Sequence, residues 1–223
     1  REDRLGPERA CAQGWISPKA MRNGIIITVL FACLIGSSLL FYAGWELIIV
    51  GLLCVLFAFL YTTGPYPLSY NGWGDILVIV FFGFVPVGGT YYVQALTWTT
   101  DITIASLICG LLIDTLLVVN NYRDREADAR SGKRTVIVRF GEKFGSYLYL
   151  MLGVAASLLC FWFLFEGHLY AALLPLLYLI PHFLTWKRMV RIHSGKKLNS
   201  ILGETSRNML LMGVLLSIGF FLN

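Results

Sequence analysis

The chain has 223 residues, of which 57% are hydrophobic and 14% are charged, and its formal net charge is +5. Soluble domains carry about 45–50% apolar and about 25% charged residues, so this composition excludes a soluble globular domain. Its mean hydropathy of +0.70 instead predicts an all-α, polytopic protein of the membrane, since helices satisfy their own backbone groups in lipid.

Seven apolar segments are long enough, or nearly long enough, to cross a bilayer, which takes about 20 apolar residues. The second and the last of them are short. The segments are predicted at residues 25–44, 46–61, 75–95, 102–120, 144–165, 169–186 and 206–222.

The basic residues predict how these segments are threaded. If the N-terminus lies inside, segments 1–24, 62–74, 121–143 and 187–207 share one side and contain all 18 Lys and Arg residues. Cytoplasmic loops are enriched in Lys and Arg. We therefore expect a multi-pass protein of the cell (inner) membrane with its chemistry at the cytoplasmic face.

The cysteines are predicted to be small buried side chains without disulfide bonds. Their number is odd, and four of them lie inside apolar segments, which does not fit a disulfide framework. They are Cys11, Cys33, Cys54, Cys109 and Cys160.

The fourth apolar segment runs directly into a polar stretch, and a continuous helix is predicted to connect the two. At about 100° per residue, five polar side chains then share an arc of about 120°. Asp124 and Asp128 lie one turn apart and repel each other unless a cation lies between them. Carboxylates suit Mg²⁺, which often bridges one or two of them to substrate phosphates. The full face comprises Asp114, Asn120, Asn121, Asp124 and Asp128.

Asp124 and Asp128 are accordingly predicted as metal ligands and catalytic residues, with Asn120 and Asn121 as substrate-binding neighbours. Lys133 and Arg134 follow and are candidates to hold phosphate oxygens, although topology alone also predicts a basic loop here.

Arg123, a further substrate-binding candidate, lies off the polar face. It is expected either to pair with a neighbouring carboxylate or to anchor at lipid headgroups. Asp114 lies about two turns inside the fourth segment, where a carboxylate is costly and suggests function. It is a candidate catalytic residue; the alternative is a structural hydrogen bond to a Ser, Thr or Tyr on another helix.

The loop over residues 61–75 contains no basic residue and is rich in Gly, Pro and Tyr. Tyr61, Tyr66 and Tyr70 are candidates to line an aromatic acceptor site, the alternative being an interfacial aromatic belt. Asp75 is a candidate to contact acceptor hydroxyls or polarise a base, although it could equally cap the third span. In the N-terminal segment, Arg4 is a candidate anion contact, and Ser17-Pro18 predicts a helix start.

Four stretches together resemble a known family: DRLGPERACAQGWISPKAM (3–21), YTTGPYPLSYNGWGD (61–75), FFGFVPVGGTYYVQA (81–95) and NNYRDREADARSGKRT (120–135). The last is similar to the second aspartate-rich motif of the UbiA superfamily of intramembrane prenyltransferases. The resemblance is to the branch that prenylates 1,4-dihydroxy-2-naphthoate, and it extends along essentially the whole chain.

The resemblance implies nine transmembrane helices around a cavity, with two aspartate-rich motifs that bind Mg²⁺ and together hold a polyprenyl diphosphate. The first motif would precede residue 3. We therefore expect residues 1–223 to be one UbiA-type domain that shows seven of nine helices, lacks the first two helices and the first motif, and is inactive alone. The lysine that other branches carry after their fourth helix is missing, so Lys133, Arg134 or Arg4 would replace it if this branch needs one.

The implied reaction transfers a polyprenyl group to 1,4-dihydroxy-2-naphthoate with loss of CO₂ and diphosphate, giving demethylmenaquinone. Its implied partners are polyprenyl diphosphate, the naphthoate, Mg²⁺ and the lipid bilayer, with no nucleic acid. The alternatives are the same scaffold acting on 4-hydroxybenzoate, homogentisate or a haem vinyl group, and a membrane transporter or lipid-binding protein. Transporters usually show repeats and midplane ion sites, neither of which is apparent.

Overall fold

The computed structural model describes residues 5–222, and these form helices joined by short connections. Three of the helices contain 3-10 or π-helical turns, and a fourth is interrupted by a turn near its end. In chain order they are α1 (Pro18–Phe41), α2 (Glu46–Thr62), α3 (Gly74–Ala95), α4 (Thr100–Arg130), α5 (Val136–Phe140), α6 (Glu142–Phe165), α7 (Leu169–Ile192) and α8 (Asn199–Phe221).

Within the described residues, five of these helices are long and apolar enough to cross a membrane: α1, α3, α4, α6 and α7. The predicted all-α membrane architecture is thus confirmed. The second predicted span corresponds to α2, which has only 17 residues. The last corresponds to α8, which has 23 residues but begins with a polar half that carries Glu204 and Arg207. These two helices fall outside the set of five.

α4 is the central helix, and α3, α6 and α8 pack around it. Two hydrophobic clusters surround it, one containing Val118 and Tyr149 and the other Ile108 and Phe163. α4 has 31 residues, which span about 46 Å at the usual rise. Because the hydrocarbon core is about 30 Å thick, its last turns project beyond the lipid.

α3 lies very close to α4. A Cβ atom at Gly83 would collide with backbone atoms of Ser106 and Gly110, and one at Gly110 would collide with the backbone of Ile79. Small residues at such contacts let membrane helices approach closely. Pro86 lies in a π-helical stretch, Ile79–Gly88. This contact fixes the start of α3 relative to the polar face of α4.

Polar side chains also join the helices inside the bundle. His182 on α7 is fully buried; its Nδ1 lies 2.9 Å from the Tyr178 hydroxyl and its Nε2 lies 3.2 Å from the Leu150 carbonyl oxygen. The Tyr149 hydroxyl on α6 lies 2.9 Å from Thr205 Oγ1 on α8. These contacts give His182 a packing role between α6 and α7.

α1 and α2 contrast with the central helices because neither of them buries a side chain. α1 begins as predicted, with Pro18 in its first turn and the Ser17 hydroxyl accepting a hydrogen bond from the Ala20 N–H at 3.2 Å. All five cysteines are free. Only Cys160 is buried, whereas Cys33 is exposed and the other three are partly exposed, so the prediction of small buried side chains is wrong for four of them.

Candidate active site

The predicted polar face lies on one continuous helix. α4 remains helical through Arg130, so the membrane-spanning segment and the motif that follows form one rod. The side chains sit at increasing distance from the membrane: Asp114 and Asn121 are buried, whereas Asp124 and Asp128 lie nearer the end of the helix. The Asn120 amide donates to the Leu116 carbonyl oxygen of the preceding turn at 3.1 Å.

Asp124 is held by the guanidinium of its neighbour Arg123. Arg123 Nε donates to Oδ1 at 2.8 Å and Nη2 donates to Oδ2 at 2.7 Å. The Arg123 side chain is only 4% exposed, whereas that of Asp124 is 32% exposed. Of the two predicted alternatives for Arg123, pairing with a carboxylate is confirmed and anchoring at lipid headgroups is wrong. A bidentate pair fixes both position and orientation of the carboxylate.

Arg123 also connects α4 to the start of α8, and through it to the N-terminal segment. Arg123 Nη1 donates to Asn199 Oδ1 at 2.8 Å, and Asn199 Nδ2 donates to the Leu5 carbonyl oxygen at 3.0 Å. Gly6 lies against the guanidinium, since a Cβ there would be 3.0 Å from Nη2. No sequence pattern pointed to Asn199, which lies 76 residues from Arg123. Arg4 lies outside the described residues.

Asp128 is paired with Lys133, whose Nζ lies 3.1 Å from Oδ2. The Lys133 backbone N–H also donates to the Asp128 carbonyl oxygen at 2.9 Å. Both side chains are mostly buried, with 14% of Asp128 and 22% of Lys133 exposed. The chain thus folds back after α4 and places a cation beside the outer carboxylate. The Arg134 side chain is exposed.

The tyrosine-rich loop packs on the segment that follows α4. The Arg134 backbone N–H donates to the Tyr70 carbonyl oxygen at 2.7 Å, and Arg139 Nη2 donates to the Asn71 carbonyl oxygen at 2.8 Å. Tyr66 and Tyr70 are 56% and 43% exposed, so their rings lie at the surface of this assembly. Arg139 was not recognised from the sequence, because its partner is a backbone oxygen.

Tyr61, at the end of α2, points inward instead. Its hydroxyl is close enough to interact electrostatically with Asp75, Asp114 and Asp128, and Asp75 interacts in the same way with Asp114. One tyrosine from α2 therefore lies near acidic groups of α3 and α4. Asp75 and Asp114 lie toward the buried end of the α4 face, and Asp128 lies toward its projecting end. Because 14 residues on a helix correspond to about 21 Å, Tyr61 must lie between Asp114 and Asp128.

Asp114 is the most unusual member of this group. It is only 1% exposed, and among the described residues its Oδ1 has no hydrogen-bond partner. A buried polar atom without a partner is costly. Asp75 is half-buried in the first turn of α3, but the residue at the cap position is Trp73, which makes no side-chain capping bond. The Asp75 carboxylate accepts a hydrogen bond from its own backbone N–H in this first turn, so the capping role and the acceptor contact both remain predictions.

A further polar cluster braces the projecting end of α4. Glu142 at the start of α6 accepts hydrogen bonds from the Tyr122 hydroxyl at 2.7 Å and from Arg125 Nη2 at 3.1 Å. His193 Nδ1, just after α7, lies 2.6 Å from Glu142 Oε1. The sequence analysis missed this cluster, since its members are far apart in the chain. It holds α4 against α6 and α7 on the side away from Asp124.

The oxygen donors on α4 are compatible with Mg²⁺, which usually takes one or two carboxylates together with water and substrate phosphates. Asp124 and Asp128 provide two such carboxylates, and Asn120 provides a neutral oxygen. In the stretch from residue 5 to residue 222, no group of three or more His, Cys, Asp or Glu residues could hold a metal ion. The described residues thus provide a two-carboxylate set.

Comparison with known proteins gives consistent matches along the chain. Residues 1–218 match the UbiA prenyltransferase family. The chain is 35% identical to a 1,4-dihydroxy-2-naphthoate octaprenyltransferase of Haemophilus influenzae, over 99% of this chain and 74% of that protein. It is 34% identical to a protein of the same description from Escherichia coli K12, over 100% of this chain and 75% of that protein.

A shorter match, 26% identical, is to a 2-carboxy-1,4-naphthoquinone phytyltransferase of Synechocystis and covers 47% of this chain and 34% of that protein. No solved structure matches the chain significantly. The family match covers nearly the whole chain, including α4 and its polar face. The chain therefore belongs to the UbiA prenyltransferase family.

Proposed function

We propose that the protein transfers a polyprenyl group from polyprenyl diphosphate to 1,4-dihydroxy-2-naphthoate. The allylic C–O bond breaks and diphosphate leaves, a ring carbon bonds to the allylic carbon, and the carboxylate departs as CO₂, giving demethylmenaquinone in its quinol form. The proposal is supported by two relatives of that description, which match 99–100% of this chain. The observation that carries it is the continuous α4 face with two carboxylates near its end.

The diphosphate would bind at the projecting end of α4. Asp124 and Asp128 would hold Mg²⁺, which supplies positive charge to the leaving diphosphate when bound. Arg123 keeps the Asp124 carboxylate in a fixed orientation through its bidentate contact. Lys133 lies 3.1 Å from Asp128, close enough to exchange that carboxylate for a phosphate oxygen. Arg134 presents an exposed guanidinium beside it.

The acceptor would bind deeper, between α2, α3 and α4. The buried Oδ1 of Asp114 lacks a partner among the described residues and would accept a hydrogen bond from an acceptor hydroxyl. Asp75 and Tyr61 lie in the same group and would orient the second hydroxyl. Withdrawing the phenolic proton toward a carboxylate makes the aromatic ring more electron-rich, which favours its attack on the allylic carbon. Tyr66 and Tyr70, being exposed, would line the entrance.

In this arrangement the two substrates bind at opposite ends of one helix face, the diphosphate at the projecting end and the aromatic acceptor at the buried end. The polyprenyl tail is apolar and the diphosphate is charged, so a site at the membrane surface suits both parts of the donor. The basic residues cluster at the same end of the helices as Asp124 and Asp128, and the positive-inside rule places that end at the cytoplasmic face of the cell (inner) membrane.

The proposal is tested by measuring the rate of prenyl transfer in membranes. These membranes come from cells that express the gene carrying this sequence. We expect Asp124→Asn and Asp128→Asn each to reduce the rate at least about 100-fold, as removal of a major electrostatic group does. Glu126→Gln is the matched control, because Glu126 is exposed on the same helix. A normal rate in the first two variants would overturn the metal assignment.

The same membranes distinguish the acceptors. Supplied with 1,4-dihydroxy-2-naphthoate, 4-hydroxybenzoate and homogentisate in turn, they are expected to prenylate the naphthoate and to release one CO₂ per transfer. Chelation of divalent cations with EDTA should stop the reaction, and Mg²⁺ should restore it. A preference for hydroxybenzoate, or substrate flux without transfer, would contradict the proposed reaction.

A further inference from the structure

A second cavity lies away from the α4 face, between the end of α7 and the first half of α8. It encloses about 450 Å³, which is within the range of small-molecule sites. None of the residues assigned above to the prenyl-transfer reaction lines it. The residues that give it its character are Thr185, Lys187, Arg188, Arg191, Glu204 and Arg207.

The charges around this cavity are strongly unequal, since four basic side chains surround a single acidic one. Arg188 Nη1 lies 2.7 Å from Glu204 Oε1, so the acidic group is neutralised by one of the four. Among the described residues, Lys187, Arg191 and Arg207 form no ion pair, and all three are exposed. The cavity therefore presents three uncompensated positive charges.

The floor of the cavity is polar and fixed. Asn208 Nδ2 donates to Thr185 Oγ1 at 2.9 Å, which joins α7 to α8. Both side chains are buried, with residue exposures of 7% and 4%. Glu204 extends this floor through its contact with Arg188. Buried, hydrogen-bonded polar groups beneath exposed basic side chains distinguish this cavity from a merely basic surface.

The opposite wall of the cavity is apolar and is formed by Pro181 and Leu184. α7 is one of the helices able to cross a membrane, and Leu184 is 56% exposed, as expected of a side chain that faces lipid. Lys187, Arg188 and Arg191 lie on the last turns of α7 and Arg207 lies in the first half of α8, where the end of a span is expected to meet lipid headgroups. A ligand suited to this cavity carries its negative charge at that depth and an apolar tail beside it.

We propose that this cavity binds the phosphate of an anionic phospholipid. Basic pockets between membrane helices recognise such headgroups, and Arg holds phosphate with well-directed hydrogen bonds. A soluble phosphate ion has no apolar part that could contact the apolar wall. The site differs from the reaction site in position and in ligand, so lipid binding and prenyl transfer can be measured independently.

Native mass spectrometry of the detergent-solubilised protein tests this proposal with phosphatidylglycerol and phosphatidylcholine as probes. We expect one phosphatidylglycerol to be retained in preference to phosphatidylcholine. The double variant Arg191→Gln/Arg207→Gln should lose this preference by at least about tenfold. Lys196→Gln/Lys197→Gln is the matched control, since it removes the same charge from exposed residues that do not line the cavity.

Three results would overturn the proposal. The first is an unchanged preference in Arg191→Gln/Arg207→Gln, and the second is an equal loss in the lysine control, which would indicate a general charge effect. The third is displacement of the lipid by millimolar inorganic phosphate or diphosphate, which would identify a soluble anion as the ligand. Retention of the preference in Arg191→Lys/Arg207→Lys would support it, because this variant keeps both charges.

Discussion

The carboxylates at the two ends of the α4 face differ in their partners. At the projecting end, Asp124 and Asp128 each lie against a basic side chain, Arg123 and Lys133. At the buried end, Asp114 has an oxygen without a partner among the described residues. A carboxylate that is paired with a basic side chain can exchange that cation for a metal, whereas a buried carboxylate oxygen without a partner lacks an interaction that a ligand can supply. Under the proposed function, one helix would bind the charged diphosphate at its projecting end and an acceptor hydroxyl at its buried end.

The largest effect is expected at the charged end, from Arg123→Met. This change leaves Asp124 without its bidentate partner and Asn199 without a donor. We expect a loss of about 100-fold in prenyl transfer and of about 2 kcal/mol in the free energy of unfolding. Transfer assays and thermal denaturation in detergent measure the two effects.

Arg125→Met is the comparison for this variant, since it removes a partly buried arginine from the same helix but leaves Asp124 paired. It should cost stability through the Glu142 cluster and have a smaller effect on the rate per folded molecule. Equal rate losses in the two variants would show that Arg123 acts only through stability.

At the buried end, Asp114→Leu is expected to change activity and stability in opposite directions. Removing an unpaired buried carboxylate should stabilise the protein by about 1 kcal/mol. The KM for the aromatic acceptor should rise at least about tenfold, while the KM for polyprenyl diphosphate should stay constant. Steady-state kinetics with each substrate varied in turn, together with denaturation curves, provide the measurement.

Asp114→Asn serves as the intermediate case because it keeps a hydrogen-bond acceptor of the same shape. Its acceptor KM should lie between those of the wild-type protein and Asp114→Leu. A destabilised Asp114→Leu variant with normal kinetics would instead assign Asp114 a structural role, the alternative raised by the sequence.

The relative position of the two ends depends on how closely α3 approaches α4. Gly110→Val would push α3 away, because a Cβ there already collides with the backbone of Ile79. Overpacking of this kind costs about 1–3 kcal/mol and should also separate Asp75 from Asp114. Gly203→Val is the control, since no atom lies within 4 Å of a Cβ at that position. Equal denaturation temperatures for both variants would contradict the close contact.

The sequence was sufficient to predict α4 and its polar face, because helical periodicity continues unbroken from apolar Leu116 to Asp128. The helix start at Ser17-Pro18 was also predicted, since its effect is local. The start of α8 was placed seven residues too late, at 206 instead of Asn199. The reason is that Glu204 is buried against protein, whereas a hydropathy argument excludes a glutamate from a span.

The contacts that complete the site were beyond sequence reasoning for a related reason. Arg123 meets Asn199 across 76 residues, and Tyr122 meets Glu142 across 20. Such pairs follow from how helices pack, and a single sequence carries no pattern for them. Sequence reasoning therefore found the groups on α4 that carry the proposed chemistry but not the residues that position them.

The smallest expected effect on the kinetics comes from replacing Lys133. Its Nζ forms an ion pair with Asp128 Oδ2 at 3.1 Å. If Lys133 exchanges its partner for phosphate on substrate binding, Lys133→Gln should raise the KM for polyprenyl diphosphate a few-fold. It should also lower the Mg²⁺ concentration needed for half-maximal rate, because the metal no longer competes with an ammonium group for Asp128. Arg134→Gln, which removes an exposed charge that lies off Asp128, should raise the same KM without changing the Mg²⁺ requirement. A Mg²⁺ requirement that rises in Lys133→Gln would mean that Lys133 orients Asp128 for the metal, and the proposed exchange of partners would then be wrong.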